Sequence, residues 1–306
     1  HRYRRGMSQG PEQHADNEIP LADANDPRLA PYRLLTDRAL RDRAPSSPTE
    51  VSATENAPHG RFLAEGHYVL QRLIAAGAPV LSVMLTERRA AAAREYLSTF
   101  RGPRYLVSEE LASKVVGYPV HRGVMGLVAR PRPLTPAELT IDASLLVYLD
   151  GIADTENVGA IFRTAAALGA DGVLVGPTTA DPLYRRCVRV SMGATAVLSW
   201  ARDTGGDALS RLNGGPLSGW SLVGLSPDGS TTLEHLVEHQ PPRSVLILGS
   251  EGPGLGDKVR RDCDELVSIP IGADSDSLNV AATAAIALYR LAARRNGDSR
   301  HSSQTK

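Results

Sequence analysis

Three segments of the chain set glycines or polar side chains beside apolar runs. The first is Gly249-Ser250-Glu251-Gly252-Pro253-Gly254, which follows Val245-Leu246-Ile247-Leu248. Its glycines allow positive φ and close approach of backbone to a ligand, and Glu251 stands at its tip. The second, Ser277-Leu278-Asn279-Val280, opens an alanine-rich run, and Ser277 is suited to cap a helix there. The third runs from Asp150 to Arg163, with Asp154 or Thr155 as a candidate cap. Arg163 lies six residues after Asn157, so a helix puts it almost two turns further on and roughly 120° around the axis. It sits among Ala160, Ile161, Phe162, Ala165, Ala166 and Leu168, so its guanidinium needs a partner or a route to solvent. Together these groups could line a ligand pocket with main chain and place a carboxylate, amides, a hydroxyl and a guanidinium around it. Taken singly, each also serves as a turn, a cap or an exposed helix arginine.

Such loops need rigid neighbours. Residues 145–149, 172–175, 196–200, 221–225, 245–248 and 266–269 read as strands, and 157–168, 183–192 and 278–293 as helices. The strand runs are continuously apolar rather than alternating, which predicts an α/β domain with a mostly parallel sheet and helices on both faces. Ligands of such sheets bind beyond the carboxyl ends of the strands, where all three loops fall. Upstream, 61–76 reads as a helix with Phe62, Val69, Leu70 and Leu73 near one face. Residues 80–85, 105–107 and 123–128 read as strands and 90–97 as a helix, giving a second, smaller α/β domain. The expected division is a disordered extension at 1–28, whose residues 1–6 before Met7 resemble a vector remnant, a small α/β domain at 29–131, a Pro-rich linker at 132–141, the larger domain at 142–294 and a flexible tail at 295–306.

Composition narrows the function classes. With 42% hydrophobic residues in 306, a sizeable core is possible, yet no apolar run approaches the ~20 residues of a membrane span. No secretory apolar region follows the N-terminus. Cys187 and Cys263 form neither a metal-ligand spacing nor a disulfide framework, so a reducing, cytoplasmic setting is expected. Lys and Arg total 34 against 34 Asp and Glu, which argues against a protein that coats nucleic acid non-specifically but leaves room for a local basic patch. A nicotinamide dehydrogenase would need Gly-x-Gly-x-x-Gly after its first strand, and 151–159 lacks that spacing.

In this order and on these strands, the motifs resemble those of the SpoU/TrmH family of the SPOUT methyltransferase superfamily over about residues 142–293. The matching pieces are Asn157-x-Gly159 with Arg163, Gly249-Ser250-Glu251-Gly252-x-Gly254, and Ile269-Pro270 with Ser277-Leu278-Asn279-Val280. Ser191-Met192-Gly193-Ala194 is also similar to a family segment. Thr155, Ile271 and Ala281 stand where the family often has Pro, Met and Ser, departures that bear on subfamily and substrate. Phe62-Leu63-Ala64-Glu65-Gly66 and His121-Arg122-Gly123-Val124 resemble the family's small RNA-binding domain of ribosomal L30e-like type.

The resemblance implies a deep trefoil knot, an exception to the rule of unthreaded connections. It implies a homodimer joined through the knot domain, with active sites built from both chains. The expected activity is methyl transfer from S-adenosyl-L-methionine to a ribose 2′-OH of rRNA or tRNA, leaving S-adenosyl-L-homocysteine and requiring neither metal nor membrane. Leu225, Gly249, Ser250, Gly252, Gly254, Ile269, Ile271 and Leu278 would hold the cofactor. Arg163, Asn157, Glu251, Ser277 and Asn279 would be catalytic: Arg163 anchoring the adjacent phosphate, Asn157 orienting Arg163 or the ribose, Glu251 binding Arg163 or Asn157, and Ser277 and Asn279 positioning the attacking oxygen. An arginine with pKa above ~12 is a poor general base, so deprotonated Arg163 is the lesser alternative. RNA phosphates would meet Arg122, Arg185, Arg186 and Arg189, with Arg101, Arg104 and Arg130 as further candidates; Arg185 and Arg189 share a helix face. Few aromatic residues speak against extensive base stacking. The competing reading within this resemblance is a non-catalytic RNA-binding protein that keeps the fold.

Overall fold

The computed structural model describes residues 18–33, 37–42, 57–120, 122–239, 241–272 and 277–302. The expectations for residues 1–6 and for the last four residues lie outside these. The chain forms two compact units, His1–Arg132 with Pro182–Val197, and Pro133–Asp181 with Leu198–Lys306.

The first unit contains β1 (Glu18–Pro20), a 3-10 turn (Pro27–Tyr32), α1 (Asp37–Asp42), β2 (Arg61–Glu65), α2 (His67–Ala75), β3 (Val80–Thr86), α3 (Glu87–Ala93), β4 (Arg104–Val107), α4 (Glu109–Val116) and β5 (Val124–Ala129). Its sheet runs β1-β4-β3-β5-β2, with β1 and β3 parallel to β4, and β5 antiparallel to β3 and β2. Two expectations are corrected here. The described residues 18–28 are not a disordered extension: β1 pairs with β4, and Leu21 is buried. The Tyr32 hydroxyl lies 2.6 Å from Ser82 Oγ, which satisfies both groups. The helix expected over 61–76 begins only at His67. Residues 61–65 are buried throughout and pair with β5, and Gly66 breaks the chain direction at φ +105°. A five-residue run buried on both faces carries no helical period to distinguish it.

The second unit contains α5 (Pro136–Thr140), β6 (Leu145–Asp150), α6 (Thr155–Ala167) and β7 (Gly172–Val175). Next in sequence come α7 (Arg185–Val190) and α8 (Ala194–Val197), which pack in the first unit, with α7 against β2. The second unit resumes with β8 (Trp200–Arg202), α9 (Ala208–Asn213), β9 (Ser221–Leu225), β10 (Thr231–Thr232), α10 (Leu233–Glu238), β11 (Ser244–Gly249), α11 (Asp257–Asp262), β12 (Glu265–Ser268) and α12 (Val280–Ser302). Its sheet runs β10-β12-β9-β11-β6-β7-β8, and every neighbouring pair is parallel. The core strands are apolar on both sides because both faces are covered: Leu145 to Leu149 and Val245 to Leu248 are all buried.

Three further expectations change. The 132–141 stretch is not merely a linker, because Thr135 and Glu138 form a reciprocal capping box that starts α5. The strand expected at 196–200 begins at Trp200. Before it, Gly193 turns the chain at φ +80° and Ser191 Oγ accepts the Thr195 N–H, coiling Ala194–Val197. The closing helix continues to Ser302, well into the stretch expected to be a flexible tail.

The entry to β6 depends on one carboxylate. Asp171 Oδ2 accepts hydrogen bonds from Ser144 N (2.8 Å), Leu145 N (2.9 Å) and Ser144 Oγ (3.1 Å). Asp171→Ala strands two backbone donors and should lower the unfolding free energy by about 1–3 kcal/mol, with a smaller loss for Asp171→Asn. Urea denaturation measures this, and an unchanged midpoint in the alanine variant contradicts it.

Candidate active site

At the carboxyl ends of the adjacent strands β12, β9 and β11, the second unit opens into a cavity of about 600 Å³. This lies within the range of small-molecule sites. All eight residues expected to hold a cofactor line it: Leu225, Gly249, Ser250, Gly252, Gly254, Ile269, Ile271 and Leu278. So do Glu251, Ser277 and Asn279. Ser226, Pro227, Leu248, Val267, Val280 and Thr283 complete the lining and were not foreseen. The first four sit within two residues of strand ends already identified, so strand-end position alone points to them.

The loop after β11 is held tightly. Ser250 and Gly254 exchange two backbone hydrogen bonds (3.1 and 3.0 Å), closing a small turn in which Gly252 and Gly254 adopt φ +85° and +70°. Gly249 permits this closure: a Cβ there would lie 2.2 Å from the Gly254 carbonyl carbon. Gly256 N donates to Asp150 Oδ2 at the end of β6 (2.7 Å), fastening the far side of the loop. This wall of the cavity is therefore main chain, with little side-chain bulk between it and a ligand.

At the cavity edge three side chains meet from distant parts of the chain. Asn157 Nδ2 donates to Glu251 Oε1 (2.9 Å), and Asn279 Nδ2 donates to the same oxygen (3.0 Å) and to Asn157 Oδ1 (3.0 Å). The Asn279 amide orientation follows from the helix, because its Oδ1 accepts from Ala281 N (2.9 Å) and Ala282 N (3.3 Å). Asn279, not Ser277, is thus the cap of α12, and capping turns its NH2 group toward Glu251. Asp154 caps α6 through Glu156 N (2.8 Å), which aims the first turn of that helix and Asn157 at the same point. Asn157 is buried, and its amide bonds Glu251 and Asn279 on either side. Of the two partners expected for Glu251, Asn157 is the one seen.

Arg163 stands apart. It is exposed on α6, about 9 Å along the axis from Asn157 at 1.5 Å per residue, and does not line the cavity. Among the described residues it has no hydrogen-bond or ion-pair partner.

The arginines considered for phosphate contact all lie in the first unit, where Arg101 is exposed. Arg122 and Arg186 are exposed. Arg185 is half-buried, donating to the Tyr118 hydroxyl (3.0 Å) with its guanidinium 5.1 Å from the ring centroid, and Arg189 lies 3.9 Å from Glu65. Arg104 and Arg130 are buried, which removes them from the surface. Arg104 instead donates to the carbonyls of Leu97 (2.7 Å) and Phe100 (3.1 Å).

Comparison with known proteins agrees with this geometry. Residues 144–289 match the model of the SpoU rRNA methylase family. The chain is 36% identical over 271 residues to the uncharacterized tRNA/rRNA methyltransferase Rv0881 of Mycobacterium tuberculosis, covering 88% of this chain and 90% of that one. The SpoU methyltransferase AviRb of Streptomyces viridochromogenes, solved in complex with AdoMet, superposes with a TM-score of 0.71 at 25% identity, over 89% of this chain and 100% of its own. A solved RNA 2′-O ribose methyltransferase shares the fold at 24% identity and TM-score 0.66, over 91% of this chain and 99% of that one. The chain belongs to the SpoU family of RNA methyltransferases.

The shared role of Asn279 separates two variants. Asn279→Ala removes the cap and all the side-chain bonds and should cost about 1–3 kcal/mol of stability. Asn279→Asp keeps an acceptor for the helix N–H groups but sets a second carboxylate beside Glu251. It should retain much of the stability at low pH and lose it as both carboxylates ionise. Thermal melts of the two variants between pH 4 and 8 test this, and parallel pH profiles would contradict the shared junction.

Proposed function

We propose that this chain transfers a methyl group from S-adenosyl-L-methionine to a ribose 2′-OH of ribosomal or transfer RNA, acting as a homodimer. The observation that carries the reading is the main-chain-walled cavity at the ends of β9, β11 and β12 with the Glu251–Asn157–Asn279 junction at its edge. The cavity suits an adenosyl group: apolar Leu225, Ile269, Ile271 and Leu278 would hold the flat ring, and the main chain of 249–254 would offer it hydrogen bonds. When bound, the donor supplies an electrophilic methyl group on a sulfonium centre.

The chain's own residues supply positioning and charge. A ribose hydroxyl attacks poorly until its proton is lost, and a guanidinium on the neighbouring phosphate lowers that proton's affinity. Arg163 takes this role across the dimer, in keeping with its exposure and its lack of a partner within its own chain. Glu251, held by two amides, and Asn279 fix the polar edge at which Ser277 meets the substrate oxygen. The second copy is expected against α12, where Ile286 and Tyr289, three residues apart, are exposed at 40% and 63%. The reading includes a trefoil knot formed by the loops that begin at Gly249 and Ile269, an L30e-like role for the first unit in gripping RNA through Arg122, Arg185, Arg186 and Arg189, and a cytoplasmic setting. Among the described residues, no helix is long and apolar enough to cross a membrane.

Arg163→Ala should slow methyl transfer to RNA about 100-fold or more while S-adenosyl-L-homocysteine affinity stays within about threefold. Gly249→Ala should do the reverse, abolishing nucleoside binding because its Cβ meets Gly254. Co-expression of the two variants should restore about one quarter of wild-type activity, since a mixed dimer assembles one complete site of two. Activity no greater than the sum of the separate variants would place Arg163 at its own chain's cavity, and full activity in Arg163→Ala would remove it from the mechanism.

A further inference from the structure

On α10 and the residue that caps its end, none of them part of the cavity lining, three metal-ligating side chains project together. His235, Glu238 and His239 are exposed, and one potential ligand atom from each lies within 4.8 Å of the others. Their spacing is i, i+3, i+4, which a helix places on one face. The two imidazole rings are already paired, with centroids 4.4 Å apart. The helix beneath is capped at its start, where Thr232 Oγ1 accepts from His235 N, and held by buried Leu233 and Leu236.

A second observation concerns protons rather than proximity. His239 Nδ1 lies 3.0 Å from the His235 carbonyl oxygen. A carbonyl can only accept, so in the neutral ring Nδ1 carries the hydrogen and Nε2 the free lone pair. Histidines that bind metals are commonly arranged this way, with the second ring nitrogen donating to a backbone carbonyl. Among the described residues, the His235 ring and the Glu238 carboxylate have no hydrogen-bond or ion-pair partner. No neighbouring cation therefore competes for the lone pairs, and Glu234 on the same helix adds a second exposed carboxylate to the local field.

We propose that His235, Glu238 and His239 form a binding site for a divalent transition-metal ion of the imidazole-preferring class, typified by Zn2+ and Cu2+. Two imidazoles and one carboxylate match that class and not Mg2+ or Ca2+, which demand more oxygen ligands. Metal–ligand bonds of about 2 Å put ligand atoms about 3.3 Å apart, so exposed side-chain torsions need close the present spacing only modestly. The remaining coordination positions stay with water. Metal binding clips the last turn of α10 across His235 and His239, and so stabilises the folded helix by mass action. The site is independent of the methyl-transfer reading, which expects no metal in its chemistry.

The test is calorimetric titration of the full chain with ZnCl2, comparing wild type with His235→Ala, His239→Ala and Glu238→Gln. The other six histidines remain in every variant, so their contribution cancels in the comparison. The wild type should show one more site than either His→Ala variant, and loss of an imidazole ligand should weaken that site by at least the about tenfold typical of losing an outer-shell partner. Glu238→Gln should weaken it less, and excess Mg2+ should not compete. Cu2+ electron paramagnetic resonance provides a second readout, with nitrogen coupling from two imidazoles in wild type and one in each His→Ala variant. Titrations and spectra identical in wild type and the His→Ala variants would overturn the proposal. The substituted positions are exposed, so folding is not at stake, and unchanged circular dichroism verifies that.

Discussion

One carboxylate oxygen holds the candidate active site together. Glu251 Oε1 accepts hydrogen bonds from the amides of Asn157 and Asn279, and so joins segments 94 and 28 residues away from it in sequence. Bonds to an ionised acceptor are stronger than neutral ones, and two donors on one oxygen define its position closely. Removing any member leaves a polar group at the cavity edge without its partner. The start of α12 follows from the same junction: Asn279 commits its oxygen to the helix end, so its nitrogen has only one direction in which to donate.

Around that junction the protein uses main chain where many enzymes use side chains. The turn closed by Ser250 and Gly254, the absence of a Cβ at Gly249 and the strap from Gly256 to Asp150 leave backbone as the cavity wall. A parallel sheet makes such a wall affordable. Its strand ends are fixed by buried neighbours on both faces, so the loops leaving them begin from defined positions and spend little entropy on placement. The polar groups needed for chemistry can then be few. In this chain Asn157, Glu251 and Asn279 meet at one edge of the cavity, whereas Arg163 is exposed on α6.

The three motif loops and the parallel core strands were legible from the sequence, because glycine and continuous apolar runs carry direct physical meaning, whereas the cavity residues that were expected came from the resemblance to a known family. The misreadings have a common origin. Arg61 to Glu65 and Ala194 to Val197 are short apolar runs whose strand or helix state is decided by partners distant in sequence. Arg104 and Arg130 count as cations in the composition, yet the fold buries them, and Arg104 turns inward to satisfy two carbonyls. Residues 18–28 looked too polar to order, yet β1 pairs with β4 and Leu21 is buried once a core exists to receive it.

The sequence by itself determined which residue types face a ligand and in what order, because backbone freedom and hydrophobic patterning are local properties written residue by residue. Only the tertiary structure decided that Asn279 rather than Ser277 caps the last helix, that Asn157 spends its amide on Glu251 and Asn279, and that His235 and His239 share a face with their lone pairs unclaimed. Those outcomes are competitions among donors and acceptors far apart in sequence. Hydrogen bonding is short-ranged and directional, so the winner is settled by angstrom-scale placement that composition and spacing do not contain.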